Sequence, residues 1–407
     1  MSDAISHQVV IVGGGTAGVA VAAHLKKFDE SGTLDVAVLE PKDVHYYQPG
    51  WTLVGAGEMK PKSTWRSMKE VIPEGVTWIH DAVQSFDPDN NSLTTRSGNQ
   101  ISYEYLVVAT GIEIAWDSIP GLQEALQRNM GVVSIYDYDL APQVWEAIKG
   151  FGGGTAIFTQ PKPPFKCPGA AQKIAYLADD AWRKRNVRGK IKQMFFSAAP
   201  GIFPVKRYAK TLNEVLKRKE IETHFQHHLV AIDIDKKEAT LEHVTTGDRQ
   251  VHAFDFLHVT PPMRPPAFLK ESPLADEGGW MNVDKHTLRH LKYPNVYGLG
   301  DCANTPNSKT AAAARSQTYV AVSNLLTAIG GGEGIAAYDG YASCPLTTGY
   351  GKLVLAEFDY NLQPKETFPI DQSKERRSMY YFKKYFLPWY YWNVLLKGGD
   401  ARVWPLG

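Results

Sequence analysis

The chain has 407 residues, of which 43% are hydrophobic and 21% are charged, and its formal net charge is +1. This length predicts more than one domain, and the balanced charge offers no basic excess to neutralise phosphates, so nucleic acid is not predicted as a partner. Three cysteines are too few for a disulfide scaffold. Neither their spacing nor the histidines His224, His227 and His228 indicate a metal site.

The first predicted elements are a buried strand, a glycine-rich turn and an alanine-rich helix, in the sequence VVIVGGGTAGVAVAAHL (9–25). The turn has the G-x-G-x-x-G spacing at Gly13, Gly15 and Gly18, and the next strand, LDVAVLE, ends in Glu40. In dinucleotide-binding units such glycines permit the tight turn, the approach of a pyrophosphate and the packing of the helix on the strand. The acidic residue at the end of the second strand binds the ribose hydroxyls. The complete combination therefore predicts a dinucleotide site.

Further strands and helices predict an α/β fold with two Rossmann-like, doubly wound domains of the FAD/NAD(P)-binding type. A run of short strands ends in a buried strand at 106–109, and a second βαβαβ order begins with a strand at 156–159 and a helix at about 170–185. The segment VYGLGDC (296–302) then starts another strand and loop. The predicted units are a first domain of 1–113 and 296–345, a second domain of 114–295, and a C-terminal region of 346–407.

The turn after the strand at 156–159 differs from a phosphate-binding turn. Its sequence, QPKPPFKCPG (160–169), has prolines, Lys166 and Cys167 where glycines would bring backbone amides to a pyrophosphate. A nicotinamide dinucleotide is therefore not expected to bind at this turn as an electron donor. Cys167 precedes the helix that would have received the phosphates, a position where the helix dipole favours the thiolate, the nucleophilic form of cysteine.

The C-terminal tail combines aromatic and basic residues in YYFKKYFLPWYYW (380–392). This composition suits the headgroup boundary of a membrane, where rings lie among lipids and cations meet phosphates. No segment is long enough to span a bilayer, and Pro388 is expected to divide the tail into two short helices at most. We expect the tail, with Lys383 and Lys384 among its cations, to attach the protein to a lipid surface; the alternative is a helix pair packed on the body of the protein.

Three motifs in this order resemble the two-dinucleotide-binding-domain flavoproteins: the glycine turn with Glu40, VVATG (107–111) and VYGLGDC (296–302). The resemblance implies that the first domain binds FAD, that Asp301 binds its ribityl chain, and that the helix after Lys309 directs its positive N-terminus at the flavin. The cofactor-binding residues that it implies are Gly13, Gly14, Gly15, Gly18, Glu40, Gln48, Val83, Thr110, Gly111, Asp301 and Lys309.

Two cysteines and the C-terminal sequence carry a closer resemblance. Cys167 precedes Pro-Gly, Cys344 lies in SCPLTTGY, and LAEFDY and ETFPIDQSKERRSMY follow. Together these closely resemble the sulfide:quinone oxidoreductase family in its two-cysteine, mitochondrial-like form. The resemblance implies a redox-active bridge between Cys167 and Cys344, which hydrogen sulfide attacks to give a persulfide and a thiolate. Two electrons then pass into FAD and on to a membrane quinone.

The sulfane sulfur needs an acceptor that the sequence does not identify. Other members of the wider group carry a third cysteine shortly after the ATG motif, near the place where this chain has Trp116. A small thiol or a similar acceptor must therefore attack the persulfide.

Alternatives to these assignments stay open at the level of sequence. Cys302 is interpreted as a small buried residue, although a pairing of Cys167 with Cys302 is the competing arrangement. An NADH:quinone-type flavin reductase on the same scaffold would need a second glycine fingerprint, which is missing; a flavin-binding sulfur sensor without catalysis is a third possibility. The N-terminus shows no secretory signal or transit peptide, so we expect a peripheral or monotopic protein on the cytoplasmic face of a bacterial inner membrane.

Overall fold

The computed structural model describes residues 5–29, 31–332 and 336–399, and it contains two largely parallel sheets with helices packed on them. The predicted α/β class with two Rossmann-like domains is confirmed. Residues 400–407 of the predicted C-terminal region lie outside the described residues. The predicted domain boundaries stay a prediction.

The first sheet joins seven strands of the described chain. They are Ile5–Val12, Val36–Leu39, Val76–Ile79, Val83–Asp87, Ser92–Thr95, Gln100–Val108 and Val296–Gly298. Val12 pairs in parallel with Leu39 on one side and with Val108 on the other, and Val108 pairs in parallel with Gly298. The carboxyl ends of these four strands therefore meet at one edge of the sheet, which is where open α/β sheets bind ligands.

Two long helices, Thr16–Phe28 and Ala311–Ile329, pack together on this sheet. Both are rich in alanine, whose short side chain allows close packing and favours the helical backbone. Leu25 and Leu325 are buried with strand residues such as Val107 in one hydrophobic cluster. The helices thus hold the carboxyl edge of the first sheet in place.

The second sheet has five parallel strands and lies beside a smaller antiparallel sheet. Its strands are Val132–Val133, Gly154–Gln160, Ile191–Ser197, Glu222–Phe225 and Phe256–His258. The antiparallel sheet contains His227–Asp233, Glu238–His243 and Arg249–Ala253. Two further strand pairs are Val44–Tyr46 with Trp65–Ser67, and Glu113–Ile114 with Met263–Arg264. The other α-helices before the tail are Trp51–Val54, Met68–Val71, Leu122–Arg128, Ala141–Gly150, Ala170–Lys184, Lys206–Lys219 and Ala267–Lys270.

A hairpin of Ala342–Gly349 and Lys352–Phe358 packs against the helix Ala170–Lys184. Its residue Leu346 is buried in the same hydrophobic cluster as Ile174 of that helix. The predicted boundary between residues 345 and 346 falls inside the first strand of this hairpin. The packing brings the hairpin to the start of the helix that follows Cys167.

The tail is a continuous helical run, so the break expected at Pro388 is wrong. An α-helix at Arg377–Tyr381 passes into a π-helical turn at Phe382–Phe386 and then into an α-helix at Leu387–Asn393. Proline breaks a helix mainly where it removes an intrahelical amide. Pro388 stands in the first turn of the last segment, where the π-turn has already shifted the hydrogen-bonding pattern.

Candidate active site

A cavity of about 590 Å³ opens at the carboxyl edge of the first sheet, a size typical of ligand-binding pockets. Most of the predicted site residues lie on its wall. They are Gly13, Gly14, Gly15, Glu40, Gln48, Val83, Thr110, Gly111, Cys167, Asp301 and Lys309. Gly18 and Cys344 do not line it: Gly18 packs behind the glycine turn, and Cys344 is buried behind the wall.

The glycine turn fits a diphosphate. Gly13 has φ of +104°, and a side chain at Gly18 would overlap the Gly13 carbonyl oxygen, so both positions require glycine. At Gly15, by contrast, a Cβ atom would meet no atom within 4 Å. Gly15 lines the cavity and is the N-cap residue of the helix Thr16–Phe28, whose N-terminus favours an anion. The backbone here can therefore approach the phosphates of a dinucleotide.

Glu40 is held in position for ribose hydroxyls by backbone amides. Its Oε2 accepts a hydrogen bond from the Gly14 amide at 2.8 Å, and its Oε1 accepts one from the Lys42 amide at 2.9 Å. Each carboxylate oxygen has a second lone pair that remains available for a ligand hydroxyl. The residues present thus fit the nucleotide half of a dinucleotide cofactor.

The other half of the cavity contains buried charges. Burial raises the pKa of Asp301, against the opposing effect of the Lys309 and Lys166 charges. Lys309 Nζ donates to the Ala303 carbonyl at 2.8 Å, and Lys166 Nζ donates to Gln48 Oε1 at 2.6 Å. Thr310 is the N-cap residue of the helix Ala311–Ile329, and its hydroxyl accepts a hydrogen bond from the Ala313 amide at 3.1 Å. This arrangement presents polar groups and a helix N-terminus to the cavity.

Cys167 lies on the cavity wall in a constrained backbone conformation. Its φ is +54°, and its amide donates to the Lys309 carbonyl at 2.8 Å, which ties the proline-rich turn to the loop that carries Asp301. Lys173 is buried on the first turn of the next helix, and its Nζ donates to Cys167 Sγ at 3.2 Å. An ammonium at this distance stabilises a thiolate.

Cys344 lies behind Cys167 as a free thiol. It is 1% exposed, and burial raises its pKa, with the neighbouring charge of Cys167 as the second cause and Lys173 opposing both. Cys344 is therefore close enough to Cys167 for the charge of Cys167 to affect the ionisation of Cys344. Cys302 lies in a different hydrophobic cluster, and its thiol donates to the carbonyls of Leu299 and Val108.

Comparisons with known proteins agree with this geometry. The family model for pyridine nucleotide-disulphide oxidoreductases matches residues 7–150 and 198–318. The chain is 44% identical over 393 residues to the mitochondrial sulfide:quinone oxidoreductase of Mus musculus, covering 96% of this chain and 87% of the relative. The mitochondrial sulfide:quinone oxidoreductase of Dictyostelium discoideum is 46% identical, covering 96% and 86%.

The chain belongs to the sulfide:quinone oxidoreductase family. It is thereby a flavin-dependent oxidoreductase, as its resemblance implied. The crystal structure of the sulfide:quinone oxidoreductase of Aquifex aeolicus superimposes with a TM-score of 0.80 at 20% identity, covering 98% of this chain and 93% of that one. At 20% identity, this similarity shows that the two proteins share a fold.

Sequence reasoning missed the site role of two lysines. Lys173 lies six residues after Cys167, in the first turn of the helix Ala170–Lys184, and this position could have indicated a charge near the thiol. The expectation that Lys383 faces lipid is wrong. Lys383 is buried on the cavity wall, and its Nζ donates to the Pro49 carbonyl at 2.9 Å. Burial, together with the charge of Lys173, lowers the pKa of Lys383 to about 7.

The tail presents one aromatic face outward. Tyr381, Tyr385 and Trp389 follow one another at four-residue spacing and are 40%, 60% and 55% exposed. On the inner side, Tyr380 and Lys384 hydrogen-bond to Glu58 at 2.5 and 2.6 Å. In the described part of the chain, no helix combines the length and apolar character that crossing a membrane requires.

Replacing Lys173 with Met should slow alkylation of Cys167 about tenfold, because a charge-assisted hydrogen bond of about 1.5 kcal/mol that stabilises the thiolate is lost. The rate is measured with iodoacetamide at fixed pH, and peptide mass spectrometry assigns the modified cysteine. Lys162→Met, which changes an exposed lysine on the same turn, is the matched control. Equal rates for wild type and Lys173→Met would contradict the assignment.

Lys383→Met should remove part of the pH dependence of stability. The ordinary lysine pKa is 10.5 and burial lowers the folded-state value to about 7, so between these values the unfolded state binds more protons than the folded state. Stability of the wild type therefore gains a contribution as pH rises through this window. Free energies of unfolding of both proteins at about pH 7 and about pH 10 measure the difference. Parallel profiles would show that Lys383 stays protonated.

Proposed function

We propose that this protein is an FAD-dependent sulfide:quinone oxidoreductase that oxidises hydrogen sulfide through Cys167 and Cys344 and reduces a membrane quinone. The observation that carries the proposal is Cys167 on the wall of a dinucleotide-sized cavity, with Lys173 at 3.2 Å from its sulfur and Cys344 behind it. Bound FAD supplies a carrier that accepts two electrons from sulfur and delivers them to the quinone.

The sulfur chemistry needs both cysteines. Hydrosulfide attacks the Cys167–Cys344 disulfide, so that one S–S bond breaks, a new one forms in a persulfide, and the other cysteine leaves as a thiolate. Because Cys167 lines the cavity that would hold the cofactor and Cys344 does not, we assign the leaving thiolate to Cys167 and the persulfide to Cys344. Lys173 stabilises the negative charge on Cys167.

The cycle closes when a small thiol removes the sulfane sulfur from Cys344. That attack leaves a second thiolate, and the Cys167 and Cys344 thiolates would re-form the disulfide by giving up two electrons, which FAD held in the cavity would accept. The low pKa of Lys383, about 7, lets its side chain hold or release a proton on the cavity wall near neutral pH. We assign to Lys383 the delivery of a proton to the quinone, whose reduction consumes two electrons and two protons.

Cys167→Ser and Cys344→Ser should each retain FAD and lose reduction by sulfide, because neither side chain belongs to the dinucleotide cradle and the bridge needs both. The measurement is an anaerobic titration of flavin absorbance with sulfide, followed by a soluble quinone analogue, with Cys302→Ser as the control that keeps the response. Loss of flavin from both variants would mean that the two cysteines are structural.

The same titration separates the competing functions. Bleaching of the wild type by NADH and not by sulfide would favour an NADH:quinone-type reductase. Bleaching by sulfide that the quinone analogue fails to reverse would favour a sulfur sensor.

We further propose that the outward face of the tail binds a lipid surface. Tyrosine and tryptophan rings are favoured at the headgroup boundary, and their hydrocarbon is removed from water there. A quinone is a lipid-phase substrate, so attachment brings the cavity to it. The relatives from Mus musculus and Dictyostelium discoideum are mitochondrial, and the bacterial inner-membrane location stays a prediction.

Replacing Tyr381, Tyr385 and Trp389 together with Ser should abolish sedimentation with vesicles of 7:3 phosphatidylcholine and phosphatidylglycerol, because the outward face loses its rings. The control replaces Val251, Leu291 and Leu362, which are 58%, 64% and 43% exposed elsewhere, with Ser. Unchanged sedimentation of the tail variant would contradict the attachment.

A further inference from the structure

Tyr391, on the inner side of the tail, makes hydrogen bonds that the redox chemistry does not use. It is 3% exposed, and its hydroxyl lies 2.8 Å from Thr16 Oγ1 and 2.6 Å from His45 Nε2. Thr16 is the first residue of the helix that follows the glycine turn, and His45 is in the strand Val44–Tyr46. Three distant parts of the sequence thus meet at one phenol.

The direction of these hydrogen bonds follows from the chemistry of the partners. His45 Nδ1 lies 2.8 Å from the Gly14 carbonyl, which can only accept, so the Nδ1 proton is present. Burial lowers the pKa of His45 to about 4, so the ring is neutral and its Nε2 accepts from the Tyr391 hydroxyl. The phenol oxygen then accepts from the Thr16 hydroxyl.

The chain of hydrogen bonds ends at the cofactor cradle. Through His45 it reaches the Gly14 carbonyl, and the amide of Gly14 donates to Glu40 Oε2 at 2.8 Å. The glycine turn is therefore fixed on one side by the carboxylate that faces the ribose position and on the other side by the tail. Gly15, the next residue, is the one with open space on its cavity side.

Packing around Tyr391 makes the contact a fixed one. Tyr47 lies against Tyr391 with ring centroids 4.7 Å apart, and Trp392 lies against His45 at 5.8 Å. Arg66 stands over the Trp392 ring at 4.7 Å. The rings exclude water from the hydrogen bonds, which makes each of them stronger than at a surface.

The geometry points to a second task for the tail: it is a clasp for the cofactor, in which Tyr391 acts as a positioning residue that holds the glycine turn through His45 and Thr16. This inference rests on the proposed binding of FAD in the cavity. Tyr391 lines the same cavity as Cys167, and its hydroxyl contacts Thr16 and His45 beside the glycine turn. Its effect is on how firmly the cofactor is retained.

The test is the rate at which FAD leaves the purified holoprotein, followed by the rise in flavin fluorescence after dilution in vesicle-free buffer. Tyr391→Phe keeps the ring and removes only the hydroxyl, so we expect release about tenfold faster, the loss expected when hydrogen bonds of about 1 kcal/mol each are removed. Tyr385→Phe, the same change on the outward face of the tail, should release FAD at the wild-type rate.

A double-mutant cycle separates positioning from a general loss of stability. In a His45→Asn background, Tyr391→Phe should accelerate release by less than in the wild type, because the two residues act through one hydrogen-bond chain. Tyr391→Phe should also lower the melting temperature of the flavin-free protein, because two buried hydrogen bonds are lost, so the coupling with His45 in the release rate is the decisive measurement. A lowered melting temperature with unchanged FAD release would overturn the clasp.

The outcomes also separate this inference from the proposed function. Equal release rates for wild type and Tyr391→Phe, in a holoprotein that sulfide still reduces, would overturn the clasp alone. A purified wild-type protein that binds no FAD would overturn both.

Discussion

The hydrogen bond from the Cys167 amide to the Lys309 carbonyl joins the two halves of the redox site. Cys167 lies in the turn after the strand Gly154–Gln160 of the second sheet, whereas Lys309 lies in the loop after the strand Val296–Gly298 of the first sheet. A backbone hydrogen bond between two ordered loops fixes the sulfur without the entropy that a long side chain would have to lose. The positions of Lys173, of Cys344 and of the cavity wall relative to the cofactor cradle all depend on this junction.

Local patterns allowed much of the fold to be predicted. The glycine turn, Glu40 and the helix after Cys167 follow from spacing and composition, since tight turns and parallel strands need particular residues at neighbouring positions. Cys344 could be placed near Cys167 only through a family resemblance, because a buried hairpin far along the chain leaves no local signal. The burial of Lys383, which lowers its pKa, and the contact of Tyr391 with His45 likewise arise from long-range packing.

The aromatic tail shows that composition alone does not predict which of its side chains face inward and which face outward. Its rings and lysines suit a lipid surface equally well at every position in the sequence, yet the helix turns Lys383 and Tyr391 inward and Tyr385 and Trp389 outward. The π-turn before Pro388 decides this distribution, since it keeps the helix continuous and sets the angular offset between its two parts. The outward aromatic face, which we propose binds lipid, and the packed inner face are two sides of one segment.

The prolines of the turn at 160–169 carry an evolutionary consequence. Proline has no backbone N–H, so a turn with Pro161, Pro163, Pro164 and Pro168 lacks the donors with which related folds grip a diphosphate. No single substitution would restore both the several backbone N–H donors and the glycine conformations that direct them toward a diphosphate. Recovery of a diphosphate site at this turn would therefore need several coordinated substitutions.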